Sequence, residues 1–144
     1  MITLLQRVSS ARVEVEAVTI GSIDQGILVL VGVEADDDES TARRFVERLL
    51  DYRVFADADG KMNLSLRDID GGLLLVPQFT LAANTRKGRR PSFASAANPQ
   101  HGRDIFVAMT AYAGTVHDRV ECGHFGADMQ VHLVNNGPVT FILD

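Results

Sequence analysis

The sequence predicts an α+β fold: a curled β-sheet or β-barrel with two amphipathic helices packed outside it. Three observations carry that prediction. Apolar, β-branched runs of strand length recur along the chain. Two stretches space their apolar residues with helical period. No linker, repeat or low-complexity tract divides the 144 residues, so 1–144 is read as one domain.

In residues 11–17 (ARVEVEA), Val13 and Val15 alternate with Glu14 and Glu16, the period of a half-buried strand. Gly26 then opens ILVLVGV, apolar at every second position and between, which reads as a strand covered on both faces. The acidic run DDDES, residues 36–40, has two readings: a metal site, or the cap of a following helix. Capping is preferred, because acidic side chains accept from the free N–H groups and complement the positive helix end. In that helix Ala42, Phe45, Val46, Leu49 and Leu50 form one apolar stripe.

The turns DADG (57–60) and DGG (70–72) bracket strands near 61–66 and 73–81. Asn98-Pro99, a capping residue before a proline, starts the second helix, with a stripe of Ile105, Phe106, Met109, Tyr112, Ala113 and Val116. From Val116 onward the chain reads as three more short strands, the last at 139–143. Directly before it stands Gly137-Pro138, a pair unsuited to an ordinary ladder.

Composition narrows the function. Apolar residues make up 46% and charged residues 23%, as in a soluble globule. No apolar run approaches the roughly 18 residues of a membrane span, and MITLLQRVSS lacks a signal-peptide layout. One cysteine, Cys122, precludes an internal disulfide framework, and a cytoplasmic location is expected. Fourteen basic against 19 acidic residues give a net charge of −5, which argues against non-specific coating of nucleic acid.

The usual catalytic apparatus is scarce. His101, His117, His124 and His132 are scattered; Cys122, His124 and His132 could offer three zinc ligands, but in no compact metal spacing. Nucleophile-elbow, Walker and dinucleotide glycine patterns are absent. Three stretches stand out instead. Gln78 and Thr80 end an apolar strand and share a face, either as a site or as an edge emerging into solvent. Arg86, Lys87, Arg89 and Arg90 cluster around Gly88, a solvated loop or a phosphate-binding one. The third is Gly137-Pro138.

Gln6-Arg7-Val8, Gln78-Phe79-Thr80-Leu81, the GRRPSF segment and FGADMQVHLVNNGPVTF (125–141), in that order over the whole chain, resemble the D-aminoacyl-tRNA deacylases, also called D-tyrosyl-tRNA deacylases. The resemblance implies a homodimer of β-barrel subunits with the active site at the subunit interface, needing no metal or other cofactor. It implies hydrolysis of the ester joining a D-amino acid, or mischarged glycine, to the 3′-terminal adenosine of tRNA. Neither DNA nor a membrane is an expected partner.

The resemblance also assigns roles. Gln78 and Thr80 orient the substrate, while the ribose 2′-hydroxyl of the terminal adenosine assists attack. Gly137-Pro138, cis in the family, enters the partner subunit's site as a backbone gate that excludes L-side chains. Arg7 tethers this wall, the alternative being an arginine reaching solvent. Phe79, Phe125 and Met129 line the adenosine or amino-acid pocket, or else pack the core. Arg86, Lys87, Arg89 and Arg90 bind tRNA. Two departures stand against the family pattern: Pro77 where serine is usual, and Asn136 where aspartate is common. Neither touches Gln78, Thr80, Gly137 or Pro138, so activity is still expected.

Two rivals remain at this level. One is a non-catalytic RNA-binding module, for which an aromatic content of 6% without tryptophan leaves few stacking platforms. The other is an editing domain for L-aminoacyl esters with Gly137-Pro138 trans.

Overall fold

In the computed structural model, residues 1–86 and 88–144 are described. Strands β1 (Ile2–Val15), β2 (Val18–Ile23) and β3 (Gly26–Gly32) come first, followed by helix α1 (Glu39–Asp51). Next are the short strands β4 (Phe55–Ala56) and β5 (Met62–Leu64), the one-turn helix α2 (Leu66–Ile69) and β6 (Gly72–Pro77). A 3-10 helix (Phe79–Ala82), α3 (Pro99–Val116), β7 (Val120–Cys122) and β8 (Gln130–Leu143) complete the chain.

The main sheet runs β2-β1-β3-β6-β7, with β8 added on the free side of β1. β1 pairs antiparallel with β2, β3 and β8, whereas β3–β6 and β6–β7 are parallel. The sheet curls until its ends nearly meet. A methyl on Gly21 of β2 would stand only 3.1 Å from the Cys122 carbonyl oxygen of β7. The result is a nearly closed barrel with three α-helices among the described residues. β4 and β5 form a separate two-stranded ribbon.

Apolar alternation builds two cores from the same strands. Leu5, Ile27, Val29, Leu73 and Leu75 face the helices and meet Phe45, Leu49, Ile105, Phe106 and Met109. Val8, Val13, Leu28, Leu74 and Val76 fill the barrel interior. β3 is therefore dry on both sides, as its unbroken apolar run predicts. Each large aliphatic side chain buried this way stabilises by about 1.5–3 kcal/mol.

α1 buries Ala42, Phe45, Val46, Leu49 and Leu50, the predicted stripe. The aspartates before it divide their work. Asp38 caps α1, accepting from the Thr41 amide at 2.7 Å and the Ser40 hydroxyl at 2.8 Å. The Thr41 amide is the chief reason that its carboxyl is pulled down to about 2. Asp37 is buried instead and receives the N-terminal ammonium of Met1 at 2.7 Å, which also reaches Glu34 at 2.6 Å. α3 starts at the Asn98 cap, whose side chain accepts the His101 amide.

The structure corrects three boundaries. The first strand runs from Ile2 rather than from residue 11, and turns into β2 through Glu16 and Ala17, both with positive φ. The strand expected at 73–81 stops at Pro77. The tail holds two strands rather than three, because one of them, β8, spans 14 residues. Local pattern hides its continuity: the register against β1 shifts twice, between Gln6 and Val8 and again between Val8 and Ser10.

Candidate active site

Pro77 ends β6 opposite Val31, and the Gln78 amide still donates to the Val31 carbonyl at 2.7 Å. The chain then turns into the 3-10 helix, with Leu81 N–H donating to Gln78 O and Ala83 N–H to Thr80 O, both at 3.1 Å. Gln78 and Thr80 thus meet across a helical turn, not along one face of a strand. The Gln78 side chain donates from Nε2 to Thr80 Oγ1 at 2.5 Å. That contact points the Thr80 hydroxyl toward a neutral amide, and among the described residues no histidine or carboxylate hydrogen-bonds it. A threonine so placed can donate a hydrogen bond or orient water; it lacks the adjacent base that would make it a nucleophile.

Two clefts adjoin this turn. One, of about 230 Å³, lies between β3, the start of α3 and the residues after β7, with Phe79, Phe106 and Phe125 in its walls. The other, of about 290 Å³, is bounded by Pro77, Gln78, Phe79, Phe125 and Met129. Phe79 and Phe125 border both. The predicted residues Gln78, Phe79, Phe125 and Met129 are therefore together, with Thr80 beside them. The alternative of pure core packing fails for Phe79, which is 56% exposed. Phe125 is half-buried, its ring 6.4 Å from that of Phe106 and 5.4 Å from the Arg103 guanidinium. Met129 is half-buried too, its sulfur accepting the His124 amide at 3.3 Å.

Gly137 and Pro138 lie elsewhere on the chain. Neither lines the clefts beside Gln78. Their peptide bond is cis, and both residues are exposed. Between the pairs Gln6↔Thr140 and Val8↔Asn135, four residues of β8 (136–139) oppose the single residue Arg7 of β1. The surplus chain is pushed out of the sheet as a narrow loop. Arg7 holds it: Nε donates to the Asn136 carbonyl at 2.9 Å, while Nη1 donates to the Val54 carbonyl at 2.7 Å. This is a tethered arginine, not one that simply reaches solvent. Glycine is required at the tip. Its φ is +134°, and an added Cβ would stand 2.8 Å from Arg7 Nη2 and 3.2 Å from the Val139 nitrogen.

Arg86, Arg89 and Arg90 are exposed on the loop closed by the Asn84–Ser92 pairing, with backbone bonds of 2.7 and 3.0 Å. Lys87 lies outside the described residues. Two contacts escaped the sequence reading. Phe93 sets its ring 5.2 Å from that of Phe79, giving the cleft mouth an exposed aromatic pair despite the low aromatic content. Asn135 bonds across the neck of the protruding loop. The RPSF and NNGP stretches are local signals, but neither shows that Phe93 meets Phe79 or that the chain doubles back onto Asn135.

Comparison with known proteins covers the same ground. The family model for D-Tyr-tRNA(Tyr) deacylase matches residues 4–144. A D-aminoacyl-tRNA deacylase of Stutzerimonas stutzeri is 61% identical over 141 residues, covering 98% of this chain and 97% of that protein. One from Pseudomonas paraeruginosa is 61% identical over 144 residues, covering 100% and 99%. Among solved structures, the c-Myc DNA Unwinding Element Binding Protein superposes with a TM-score of 0.95 at 34% identity, covering 100% of this chain and 98% of that one. A structure described as a probable eukaryotic D-amino acid tRNA deacylase shares the fold, with a TM-score of 0.87 at 17% identity and coverage of 99% and 97%. A nearly closed barrel with an apolar cleft beside a Gln–Thr turn is, in this company, the fold of a hydrolase. The chain belongs to the D-Tyr-tRNA(Tyr) deacylase family.

Proposed function

We propose that this protein hydrolyses the ester of D-aminoacyl-tRNA, and of mischarged glycyl-tRNA, while sparing L-aminoacyl-tRNA. The observation that carries this reading is the loop at Gly137 and Pro138. It is pushed out of the sheet, tied down by Arg7 and bare of any side chain at its glycine. A stiff stretch of main chain can meet the substrate α-carbon closely and present carbonyl oxygens to the α-amino group. An L-side chain would have to occupy the same space; hydrogen in its place, as in glycine or a D-residue, would not. Selectivity then comes from exclusion.

The loop does not line the clefts beside Gln78 on its own chain, so the gate requires a second copy that delivers it there. The homodimer proposed for this purpose is supported by the outer edge of β8. That edge has no partner strand among the described residues, and Val134 (57%) and Ile142 (64%) on β8 stay exposed.

The chemistry asks little of the side chains. Water adds to the ester carbonyl carbon, and the tetrahedral oxyanion collapses with cleavage of the bond to the ribose 3′-oxygen, which departs with a proton. An aminoacyl ester is already activated, and one well-placed donor to an oxyanion is worth about 3–4 kcal/mol. Gln78 and Thr80 orient the ester, and the 2′-hydroxyl of the terminal adenosine assists the attack. The apolar clefts bounded by Phe79, Phe125 and Met129 would hold that adenosine. Arg86, Lys87, Arg89 and Arg90 would follow the tRNA backbone, and a tRNA substrate puts the reaction in the cytoplasm.

The test is loss of ester from matched D-, L- and glycyl-tRNAs. Loss from the D- and glycyl forms alone is expected. Binding without hydrolysis, or loss from the L-form alone, would overturn the proposal.

A further inference from the structure

We propose that Asn135 is a positioning residue that fixes the reach of the Gly137–Pro138 loop and thereby its power to discriminate; this rests on the gate described above. Asn135 stands on the limb of β8 where the loop leaves the sheet. Its Oδ1 accepts the Val139 amide at 3.0 Å, and its Nδ2 donates to Thr140 Oγ1 at 2.8 Å. Val139 and Thr140 stand on the other limb, where the chain rejoins β1 at the pair Gln6↔Thr140. The Thr140 hydroxyl oxygen also receives the Gln6 side-chain amide at 3.4 Å. One short side chain therefore uses its acceptor and its donor to close the neck of a four-residue loop.

The two restraints on the loop act in different directions. Arg7 draws Asn136 toward β1, whereas Asn135 sets the separation of the two limbs. The sheet does not depend on the clasp. Ladder pairs at Gln6↔Thr140 and Val8↔Asn135 continue on both sides of it through backbone atoms alone. The loop does depend on it. Without the Asn135 side chain, the half-buried Val139 amide loses its acceptor and the limbs can splay. A wall that sorts handedness with main-chain atoms tolerates a displacement of only about 0.5 Å. A clasp at the neck supplies that precision directly.

The chemistry required at position 135 is specific. Alanine offers neither contact. Aspartate can accept the Val139 amide and, with the Thr140 hydroxyl turned to donate, restores both bonds, leaving Thr140 Oγ1 as an acceptor for Gln6.

The test measures deacylation of a D-aminoacyl-tRNA and its L-counterpart by Asn135→Ala, Asn135→Asp, Thr140→Val and Gly137→Ala, with thermal melting of each. For Asn135→Ala the D-ester kcat and the D/L rate ratio should each fall about tenfold, with KM and melting temperature near wild type. Asn135→Asp should stay within about threefold of wild type. Thr140→Val removes half of the clasp at nearly constant shape and should give an intermediate loss, which carries the test should Asn135→Ala not fold. A wild-type ratio in the informative variant, or an equal fall in D- and L-rates, would overturn the positioning role. If Gly137→Ala also keeps the wild-type ratio, the gate itself fails. If Gly137→Ala loses selectivity and the clasp variants keep it, only the clasp fails.

Discussion

Arg7 Nε donates to the carbonyl oxygen of Asn136 at 2.9 Å, joining the side chain of one strand to the backbone of a loop that its neighbour has extruded. The same guanidinium donates from Nη1 to the Val54 carbonyl, so the loop is moored to the segment that follows α1. Lysine has a single ammonium and cannot reproduce two divergent donors in one plane. Arg7→Lys should lower D-ester kcat/KM by about tenfold or more, equivalent to about 1.4 kcal/mol. Steady-state deacylation checks this, and wild-type kinetics would remove Arg7 from the tether.

Gly137→Ala puts a methyl 2.8 Å from Arg7 Nη2 at a residue whose φ is +134°. Loss of D-ester hydrolysis of at least about tenfold is expected. Because Gly137 is exposed and away from both cores, melting should shift by only a few degrees. Circular dichroism against temperature, run beside the activity assay, separates the two effects.

Replacing Arg86, Lys87, Arg89 and Arg90 together by alanine should weaken tRNA binding and flatten its salt dependence. Each single-strand phosphate contact contributes about 0.7 to the slope of log affinity against log salt, so four contacts remove about 3. Filter binding between low and physiological salt reads that slope. An unchanged slope returns the cluster to a solvated loop.

A tRNA ending in 2′-deoxyadenosine should be a poor substrate while binding almost as well as the ribo form. Single-turnover rates distinguish loss of chemistry from loss of affinity. Equal rates would transfer the attack entirely to the protein.

The Met1 ammonium gives stability a pH dependence. Burial lowers its affinity for a proton, but hydrogen bonds and charge from Asp37 and Glu34 outweigh this and raise its pKa above 8.0. A group held above its unfolded value stabilises fully below that value, and the stabilisation disappears as pH rises through the folded value. Melting temperature should therefore decline above pH 8. Asp37→Asn should flatten that decline and destabilise by about 3 kcal/mol, since it leaves a buried charge short of a partner.

What the sequence reveals follows the range of the interaction that decides each feature. α1 is legible to the residue because helical periodicity is local and its five apolar positions all turn inward. β3 is legible for the same reason. Gln78 and Thr80 look like strand residues, since QFTL alternates as a strand does; only the end of pairing at Pro77 makes the turn. The loop at Gly137 and Pro138 arises from a register mismatch with a strand some 130 positions earlier, as the separation of 129 between Arg7 and Asn136 records. No window along the chain contains both partners. Asn135 meets Val139 and Thr140, only four and five positions on, but solely because that extruded loop folds them back onto it; Phe93 meets Phe79 only because the intervening loop closes.

The uncovered rim of β8 has a bearing on how this chain must live among its copies. A row of unsatisfied amides and carbonyls is a socket for any extended peptide, including misplaced ones. Mutual engagement of two such rims about a twofold axis would use both up at once. In the homodimer proposed above, catalytic reach and colloidal safety would thereby come from the same embrace.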